Sequence, residues 1–180
     1  MTANTSTRIA MTFSVALAIG VSVLTSSVAY AAPGSPASDL GPGEPGFADG
    51  NQTANATQNG NNEWLSLYQR GSNNTATITQ SIANNVAAVS QTGSYNALTL
   101  WQYGNSNQAS LFQQGSRNAL SASQTGSNDS IAAAQSGTAN NAMIQQVGNN
   151  DAVQLRQNGS HQTISIQQNG SGLHTSVVQH

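Results

Sequence analysis

Between residues 51 and 180, polar and apolar positions repeat in a unit of eleven residues. Glutamine recurs at every eleventh position without insertion or deletion, and most units carry apolar residues seven and nine places after it, such as Leu65 with Leu67 and Val153 with Leu155. Positions five, seven, nine and eleven places after the glutamine differ by two, so they share one face of a β-strand. The pattern predicts one strand of five to seven residues in each unit, followed by a turn.

Each unit also carries polar markers at fixed places. The repeated glutamines are Gln58, Gln69, Gln80, Gln91, Gln102, Gln113, Gln124, Gln135, Gln146, Gln157, Gln168 and Gln179. Asparagine follows five places later at Asn74, Asn85, Asn96, Asn107, Asn118 and Asn140, with Asp129 and Asp151 as substitutes. Glycine follows two places later at Gly60, Gly71, Gly93, Gly104, Gly115, Gly126, Gly137, Gly148, Gly159 and Gly170, and Ile82 interrupts this series. We expect the asparagine, the apolar pair and the glutamine to face inward, and the glycine to begin a four-residue turn that needs positive φ.

One strand-turn unit cannot bury its apolar face alone, but stacked units can, at ~4.8 Å per layer. Stacking in register brings each inward glutamine beside the next, so that their amides form a hydrogen-bonded ladder. The sequence therefore predicts an all-β fold, a β-solenoid of amyloid-like cross-β character. The residues leave the size of one rung, meaning one full turn, open between two units and three. The bulky residues Leu65, Leu98, Ile131 and Ile164 recur in every third unit.

The first 50 residues differ from the repeats. Residues 1–31 have the features of a secretory signal peptide, with Arg8 ahead of an apolar run over 9–24 and a cleavage site that we place after Ala31. The run is shorter than the roughly 20 residues that span a bilayer. All four prolines lie in residues 32–50, which predicts a flexible leader. We therefore divide the chain into a signal peptide over 1–31, a leader over 32–50 and a repeat core over 51–180.

Composition excludes several classes of function. The 180 residues include four arginines, no lysine and six acidic residues, whereas asparagine and glutamine occupy 40 positions. Without a basic patch the chain has no electrostatic footprint for nucleic acid, and without cysteine it has no disulfide or thiolate site. The scarcity of charge fits a solenoid, because like charges stacked in register would repel each other along a column.

The pattern Gln-x-Gly-x-x-Asn-x-Ala-x-x-x-Gln occurs in full three times, as QRGSNNTATITQ over 69–80, QYGNSNQASLFQ over 102–113 and QSGTANNAMIQQ over 135–146. In this pattern the chain resembles the curlin repeats of curli, the extracellular amyloid fibres of bacteria. The resemblance extends over about residues 51–180. It implies a β-solenoid with two strands in each 22-residue rung.

The resemblance also implies a structural role without a cofactor. Curlin subunits cross the outer membrane through a dedicated pore and polymerise at the cell surface into pilus-like fibres of the biofilm matrix. The implied partners are further copies of the chain, the other curlin subunit, the secretion pore, and host or matrix surfaces. The regular, nearly uncharged repeats favour the major fibre subunit, whereas the degenerate last repeat, with Leu173 in place of asparagine, is typical of the minor nucleator. The leader over 32–50 stands where curlins carry their secretion-targeting segment.

Other functions have weaker support. An enzyme needs a convergent acid, base or nucleophile, and a metal site needs clustered ligands, but His161, His174 and His180 are spread over turn or terminal positions. We therefore predict no catalytic and no metal-binding residues. A monomeric ice-binding or adhesin solenoid is the alternative from another class. The ice-binding alternative needs a flat outward array of threonine, which the successive units do not maintain.

The aromatic residues of the repeats fall at outward positions. We expect them to form contacts between neighbouring fibre units, or a surface that binds a matrix polymer or a host. They are Trp64, Tyr68, Trp101, Tyr103 and Phe112.

Overall fold

The computed structural model describes residues 52–180 in full and, before them, the backbone of residues 7–14 and 23–27. The leader over 32–50, the cleavage site at Ala31 and the remainder of the proposed signal peptide lie outside the described residues. All regular secondary structure in the described part is β. No helix long and apolar enough to cross a membrane occurs among these residues.

Two strands precede the repeats, and the repeats themselves form twelve strands, one in each eleven-residue unit. The first two are β1 (Thr7–Ser14) and β2 (Val23–Ser27). The repeat strands are β3 (Thr53–Asn61), β4 (Trp64–Ser72), β5 (Thr75–Ala83), β6 (Val86–Ser94), β7 (Ala97–Asn105), β8 (Gln108–Ser116), β9 (Ala119–Ser127), β10 (Ser130–Thr138), β11 (Asn141–Asn149), β12 (Ala152–Ser160), β13 (Thr163–Ser171) and β14 (His174–Gln179). The strand spacing therefore follows the repeat of the sequence.

Successive repeat strands alternate between two sheets. The first sheet contains β4, β6, β8, β10, β12 and β14, and the second contains β3, β5, β7, β9, β11 and β13. Every pair of neighbours within these two sets is parallel and shifted by two units, as for Gln91 beside Gln113. The chain is therefore a β-solenoid of about six turns with two strands per rung, which confirms the predicted fold. A rung of three units is wrong, because Leu65 and Leu98 lie three strands apart and therefore on opposite sheets.

The strands are longer than the sequence pattern predicted. Those from β3 to β13 have nine residues each, and Gly71 is the eighth residue of β4 instead of the first residue of a four-residue turn. Two residues, such as Asn73 and Asn74, join one strand to the next. Positive φ occurs at the glycine, 113° at Gly71, and again two residues later, 56° at Asn73. The change of direction is thus shared between these two positions.

The inward face of the solenoid is dry. Along β5 burial alternates: Ala76 and Ile78 are at most 1% exposed, whereas Thr75 and Thr77 on the outer face are accessible. The period-two assignment of faces is therefore confirmed. The apolar core runs as one cluster from Ala54 to Ile166. Each fully buried leucine or isoleucine contributes about 2 kcal/mol to it.

The two ends of the solenoid differ from its middle. At the N-terminal end, β1 pairs antiparallel with β4, and β2 pairs antiparallel with β3. At the C-terminal end, no further strand of the described residues covers β13 or β14, and Ile164 and Val177 are only partly buried against the core. Parallel stacking, which builds all the inner rungs, therefore stops at both ends.

Candidate functional site

The repeated glutamines stack in two columns, one on each sheet. Except in the last glutamine of each column, Nε2 donates a hydrogen bond to the Oε1 of the glutamine 22 residues later, over distances of 2.7–3.1 Å. The second Nε2 proton crosses to a main-chain carbonyl of the facing sheet, as from Gln80 to the carbonyl oxygen of Trp64 at 3.1 Å. The column of the first sheet is Gln69, Gln91, Gln113, Gln135, Gln157 and Gln179, and that of the second is Gln58, Gln80, Gln102, Gln124, Gln146 and Gln168.

The hydrogen bonds of both columns point the same way, from the N-terminal towards the C-terminal rung. In the first-sheet column an amide oxygen is therefore left over at the N-terminal end and an amide nitrogen at the C-terminal end. The second-sheet column ends differently, because Gln168 Nε2 donates to the carbonyl oxygen of Ala152 at 3.2 Å and to Thr175 Oγ1 at 3.0 Å. Gln69 Oε1 is buried and has no hydrogen-bond partner. Gln179 Oε1 accepts from Gln157 at 2.8 Å, which leaves Gln179 Nε2 as the last donor of its column. The two ends of the first-sheet glutamine column therefore have opposite hydrogen-bonding character.

Side chains that recur every eleven residues, directly before each repeat strand, form two further columns. The first turn column consists of Gln52, Asn74, Asn96, Asn118, Asn140 and Gln162, and the second of Glu63, Asn85, Asn107, Asp129, Asp151 and Leu173. The asparagine pattern of the sequence identifies Leu173 as a departure but does not identify Gln52, Glu63 and Gln162 as members of the columns. Each of these three lies 22 residues from a column asparagine, as Gln52 does from Asn74. This spacing is the feature of the sequence from which they could have been predicted.

Asn96 shows how a turn-column asparagine is bound. Its Nδ2 donates to the carbonyl oxygen of Gly115 at 3.0 Å, and its Oδ1 accepts the main-chain N–H of Asn118 at 3.1 Å. Its own N–H is donated to Asn74 Oδ1 at 3.0 Å. One asparagine thus joins three successive rungs, both as donor and as acceptor. Gln162 at the end of the same column donates its N–H to Asn140 Oδ1 at 3.1 Å, but its own Oε1 is buried without a partner.

The glycines stand where neighbouring rungs approach most closely. A Cβ on Gly115 would lie 2.0 Å from the carbonyl oxygen of Gly137, and a Cβ on Gly104 would lie 1.8 Å from that of Gly126. These glycine carbonyls are the acceptors of the turn asparagines, as Gly115 is for Asn96. The glycine column therefore allows the close contact that the asparagine bonds require, in addition to positive φ.

Three acidic side chains lie in the second turn column, and each is at most 2% exposed. Glu63 Oε1 accepts from Asn85 Nδ2 at 3.2 Å, but burial raises the pKa of Glu63 from 4.5 to about 7. Burial also raises the pKa of Asp129, against a smaller opposing effect of the hydrogen bond from the Asp151 main chain, and the charge of Asp151 raises it further. One oxygen of each carboxyl group, Glu63 Oε2, Asp129 Oδ2 and Asp151 Oδ2, is buried without a partner. Within the described residues, no three acidic, histidine or cysteine side chains group as a metal site.

The outward aromatic residues are divided between the sheets. Trp101 and Tyr103 are about half exposed on β7 of the second sheet, at 56% and 49%. Trp64 and Phe112 are exposed on the first sheet, where Tyr68 is half-buried. The five side chains therefore do not form a single patch.

Threonines on the outer face lie closer together in the structure than a comparison of consecutive eleven-residue units predicted. Because alternate strands share a sheet, Thr57 lies beside Thr79, and Thr77 lies beside Thr99. The grouping ends at β7, where Trp101 follows Thr79 in the same row. The threonine array is thus confined to the first strands of one sheet.

Glutamine ladders, asparagine columns and closely stacked glycines together account for the markers of the eleven-residue pattern. Residues 71–104 match a family model. Its description is curlin associated repeat. The matched segment begins in β4 and ends in β7, and it supports a relationship to the curlin family. The comparison with curated proteins found no match, and neither did the comparison with solved structures.

Proposed function

We propose that the chain is a curlin-family structural subunit of a curli-type amyloid fibre, secreted to the cell surface, and that it polymerises by stacking rung on rung. The observation that carries this proposal is the pair of buried, unpartnered amide oxygens at opposite ends of the solenoid, Gln69 Oε1 and Gln162 Oε1. The curlin repeat over 71–104 supports the same role. In this proposal the residues at the ends of the solenoid bind a further copy of the chain, and assembly requires no cofactor.

A second copy can continue the solenoid without a change of phase, because twelve strands are six complete rungs. Its β3 would follow β13, and its β4 would follow β14, in the parallel register of the inner rungs. Gln179 Nε2 would then donate to Gln69 Oε1 of the second copy. Gln162 Oε1 would accept the main-chain N–H of Gln52 of that copy. Both unpartnered oxygens are satisfied in this way, and each unmade bond in a dry interior costs about 1–3 kcal/mol.

The strands β1 and β2 lie on the edges that a second copy would use. They pair antiparallel, unlike every other strand pair in the described residues, and they belong to the segment that we propose as a signal peptide. Cleavage after Ala31 would remove both strands and leave β3 and β4 with unpaired edges, which favour association with another chain. We therefore propose that processing makes the chain competent to polymerise.

The first test is assembly of purified residues 32–180 after dilution from denaturant. We expect fibres with a ~4.7–4.8 Å meridional reflection, and a slower reaction for residues 1–180. Gln179→Leu should slow elongation, because it removes the donor at the junction. Gln167→Leu is the matched control, since this glutamine is exposed on β13. A persistently soluble monomer would contradict the proposal and favour an ice-binding or adhesin solenoid.

The second test concerns export. We propose that the leader over 32–50 directs passage through an outer-membrane pore and takes no part in the fibre. Deletion of 32–50 should abolish surface display and leave assembly in vitro unchanged. Loss of assembly in vitro would show that the leader belongs to the fibre core.

We favour the major subunit over the nucleator because both glutamine columns continue to the last rung. The second turn column, in contrast, would bring Leu173 against Glu63 of the next copy, where Leu173 offers no acceptor. A nucleator would accelerate assembly of the other curlin subunit at low molar ratio without forming long fibres itself. Long fibres from the purified chain alone would support the role of major subunit.

The same fibres can be used to measure binding to host or matrix surfaces.

A further inference from the structure

Asp129 and Asn107 are successive members of the second turn column. The side chain of Asn107 acts as both a hydrogen-bond acceptor and a donor. Asp129 Oδ1 performs the acceptor part, since it takes the main-chain N–H of Asp151 at 3.0 Å. The donor part belongs to Nδ2 in asparagine: Asn107 Nδ2 donates to the carbonyl oxygen of Gly126 at 3.2 Å. Asp129 has Oδ2 in that place, and this oxygen is buried with no hydrogen-bond partner.

The stacking of equivalent units identifies the group that Asp129 Oδ2 faces. Asn107 reaches Gly126, and the equivalent acceptor for Asp129, one rung further along, is the carbonyl oxygen of Gly148. Two oxygens without a proton between them repel each other, and an ionised carboxylate can only accept hydrogen bonds. A protonated carboxyl group has one O–H donor and restores the asparagine pattern. Asp129 Oδ2 lies beside the stacked glycine backbone, since a Cβ on Gly126 would lie 3.1 Å from it.

We propose that Asp129 is protonated in the folded solenoid, with its Oδ2–H donated to a main-chain carbonyl, so that formation of the solenoid takes up a proton. The repeat therefore accommodates an aspartate in an asparagine column, but the stability of the solenoid then depends on pH. This inference concerns the solenoid itself and holds whether the chain forms fibres or remains a monomer.

No cation of the described residues around Asp129 offsets its charge. The titratable group that faces it along the column is Asp151, and the residue on the other side is the neutral Asn107. The flanking strands β9 and β10, and their neighbours β8 and β11, contain no titratable side chain. On the remaining neighbours, Tyr103 of β7 and Arg156 of β12 are exposed on the outer faces.

Burial raises the pKa of Asp129 above its ordinary 3.8 and is the largest effect. The hydrogen bond from the main-chain N–H of Asp151 lowers this pKa, the charge of Asp151 raises it, and the net direction is upward. The folded chain then holds a proton that the unfolded chain releases above about pH 4. The stability that this carboxyl group contributes is fully present below that pH. It is lost as the pH rises through the higher pKa of the folded state.

The experiment measures the denaturant midpoint of the solenoid between pH 4 and pH 8. The background is Glu63→Gln, so that the other buried acid with a raised pKa does not titrate. We expect the midpoint to fall as the pH rises, and the additional change Asp129→Asn to reduce that fall and raise the midpoint at the upper end. The matched control is Asn128→Asp, which adds a carboxylate at the exposed neighbouring position and should retain the fall.

Infrared spectroscopy of the assembled chain gives a second readout. A carboxylic C=O band at neutral pH should be present and should weaken in the Asp129→Asn variant. An unchanged pH dependence in Asp129→Asn, or the absence of that band, would overturn the proposal. So would a midpoint that depends on added Na⁺ or Ca²⁺ at constant pH and loses this dependence in Asp129→Asn, because a cation would then stand in place of the proton.

Discussion

Gln69 and Gln91 lie 22 residues apart in the chain and are joined by a hydrogen bond of 2.7 Å from Nε2 to Oε1, with neither side chain exposed to solvent. Such a bond contributes a net of only ~1 kcal/mol. Its larger effect is on register, because a slip by one residue would move each glutamine to the outer face. Repetition of this bond in every rung makes one stacking arrangement preferred over its neighbours.

Substitution of a glutamine in the middle of a column should destabilise the solenoid strongly. Gln102→Leu would leave Gln80 Nε2 without its acceptor at 2.9 Å and Gln124 Oε1 without its donor at 2.9 Å. Two unsatisfied buried groups lower the free energy of unfolding by about 2–6 kcal/mol. Chemical denaturation of the assembled chain measures this change.

The control for Gln102→Leu is Gln145→Leu on the outer face of β11. Gln145 is exposed, and surface changes of this kind stay within ~0.5 kcal/mol. Equal losses from the two variants would mean that the ladder has no special role in stability.

A methyl group on a stacked glycine should separate two rungs. Gly115→Ala would place a Cβ 2.0 Å from the carbonyl oxygen of Gly137, at a φ of 113°. Gly172→Ala is the matched control, because it also has positive φ, 71°, but its Cβ would meet nothing within 4 Å. We expect a loss of more than about 3 kcal/mol for Gly115→Ala and about 1 kcal/mol for Gly172→Ala. Similar losses would mean that positive φ alone, and not rung contact, selects glycine.

The alternation of faces and the stacking of glutamines could be predicted because a strict repeat turns local spacing into long-range contacts. The inward position of Ile78 and the outward position of Thr77 follow from period two alone. The number of strands per rung could not be derived in this way. Bulky side chains such as Leu65 and Leu98 recur in every third strand, whereas the backbone completes one turn of the solenoid in every two strands.

The exact shape of the turn also could not be read from the residues. The sequence predicted positive φ near glycine, but not that the strand continues through it. Ile82 shows why: it adopts a φ of 95° in the glycine column, because pairing on both sides outweighs its own preference. Glu63 and Gln162 could not be identified from residue type for a related reason. Each occupies the column position of an asparagine, but its side chain is of another type.

Stability of the N-terminal rung should decrease as the pH approaches and passes 7. Burial raises the pKa of Glu63 from 4.5 to about 7, so the folded chain binds a proton that the unfolded chain has released. The stability contributed by Glu63 is complete below its ordinary pKa and is lost as the pH rises through about 7. Hydrogen exchange of the β3 and β4 amides, compared with that of Glu63→Gln at each pH, measures the effect.

In Glu63→Gln this loss between pH 5 and pH 8 should be absent. Asn62→Asp is the control, because Asn62 is exposed and its replacement titrates in water. Identical exchange profiles for the parent chain and Glu63→Gln would contradict the prediction.

The last prediction concerns the C-terminal edge, where β14 has a partner on only one side among the described residues. Val177 packs against the apolar core, whereas Ser176 points to the outer face and is exposed. A second copy that adds β4 to β14 would bury position 177 completely. Val177→Lys would then place an unpaired ammonium group in a dry column, at a cost of several kcal/mol. Ser176→Lys would keep its ammonium group in water, where salt screens it from its copies.

We therefore expect Val177→Lys to slow elongation from preformed seeds strongly, and Ser176→Lys to have a mild effect that added salt relieves. The two variants carry the same charge at adjacent positions, so a difference between them reports the face and not the charge. Measurement of elongation rates on identical wild-type seeds removes any effect on nucleation. Equal rates, or a stronger effect of Ser176→Lys, would show that the last strand is not part of the stacking surface, and that growth proceeds through another part of the chain.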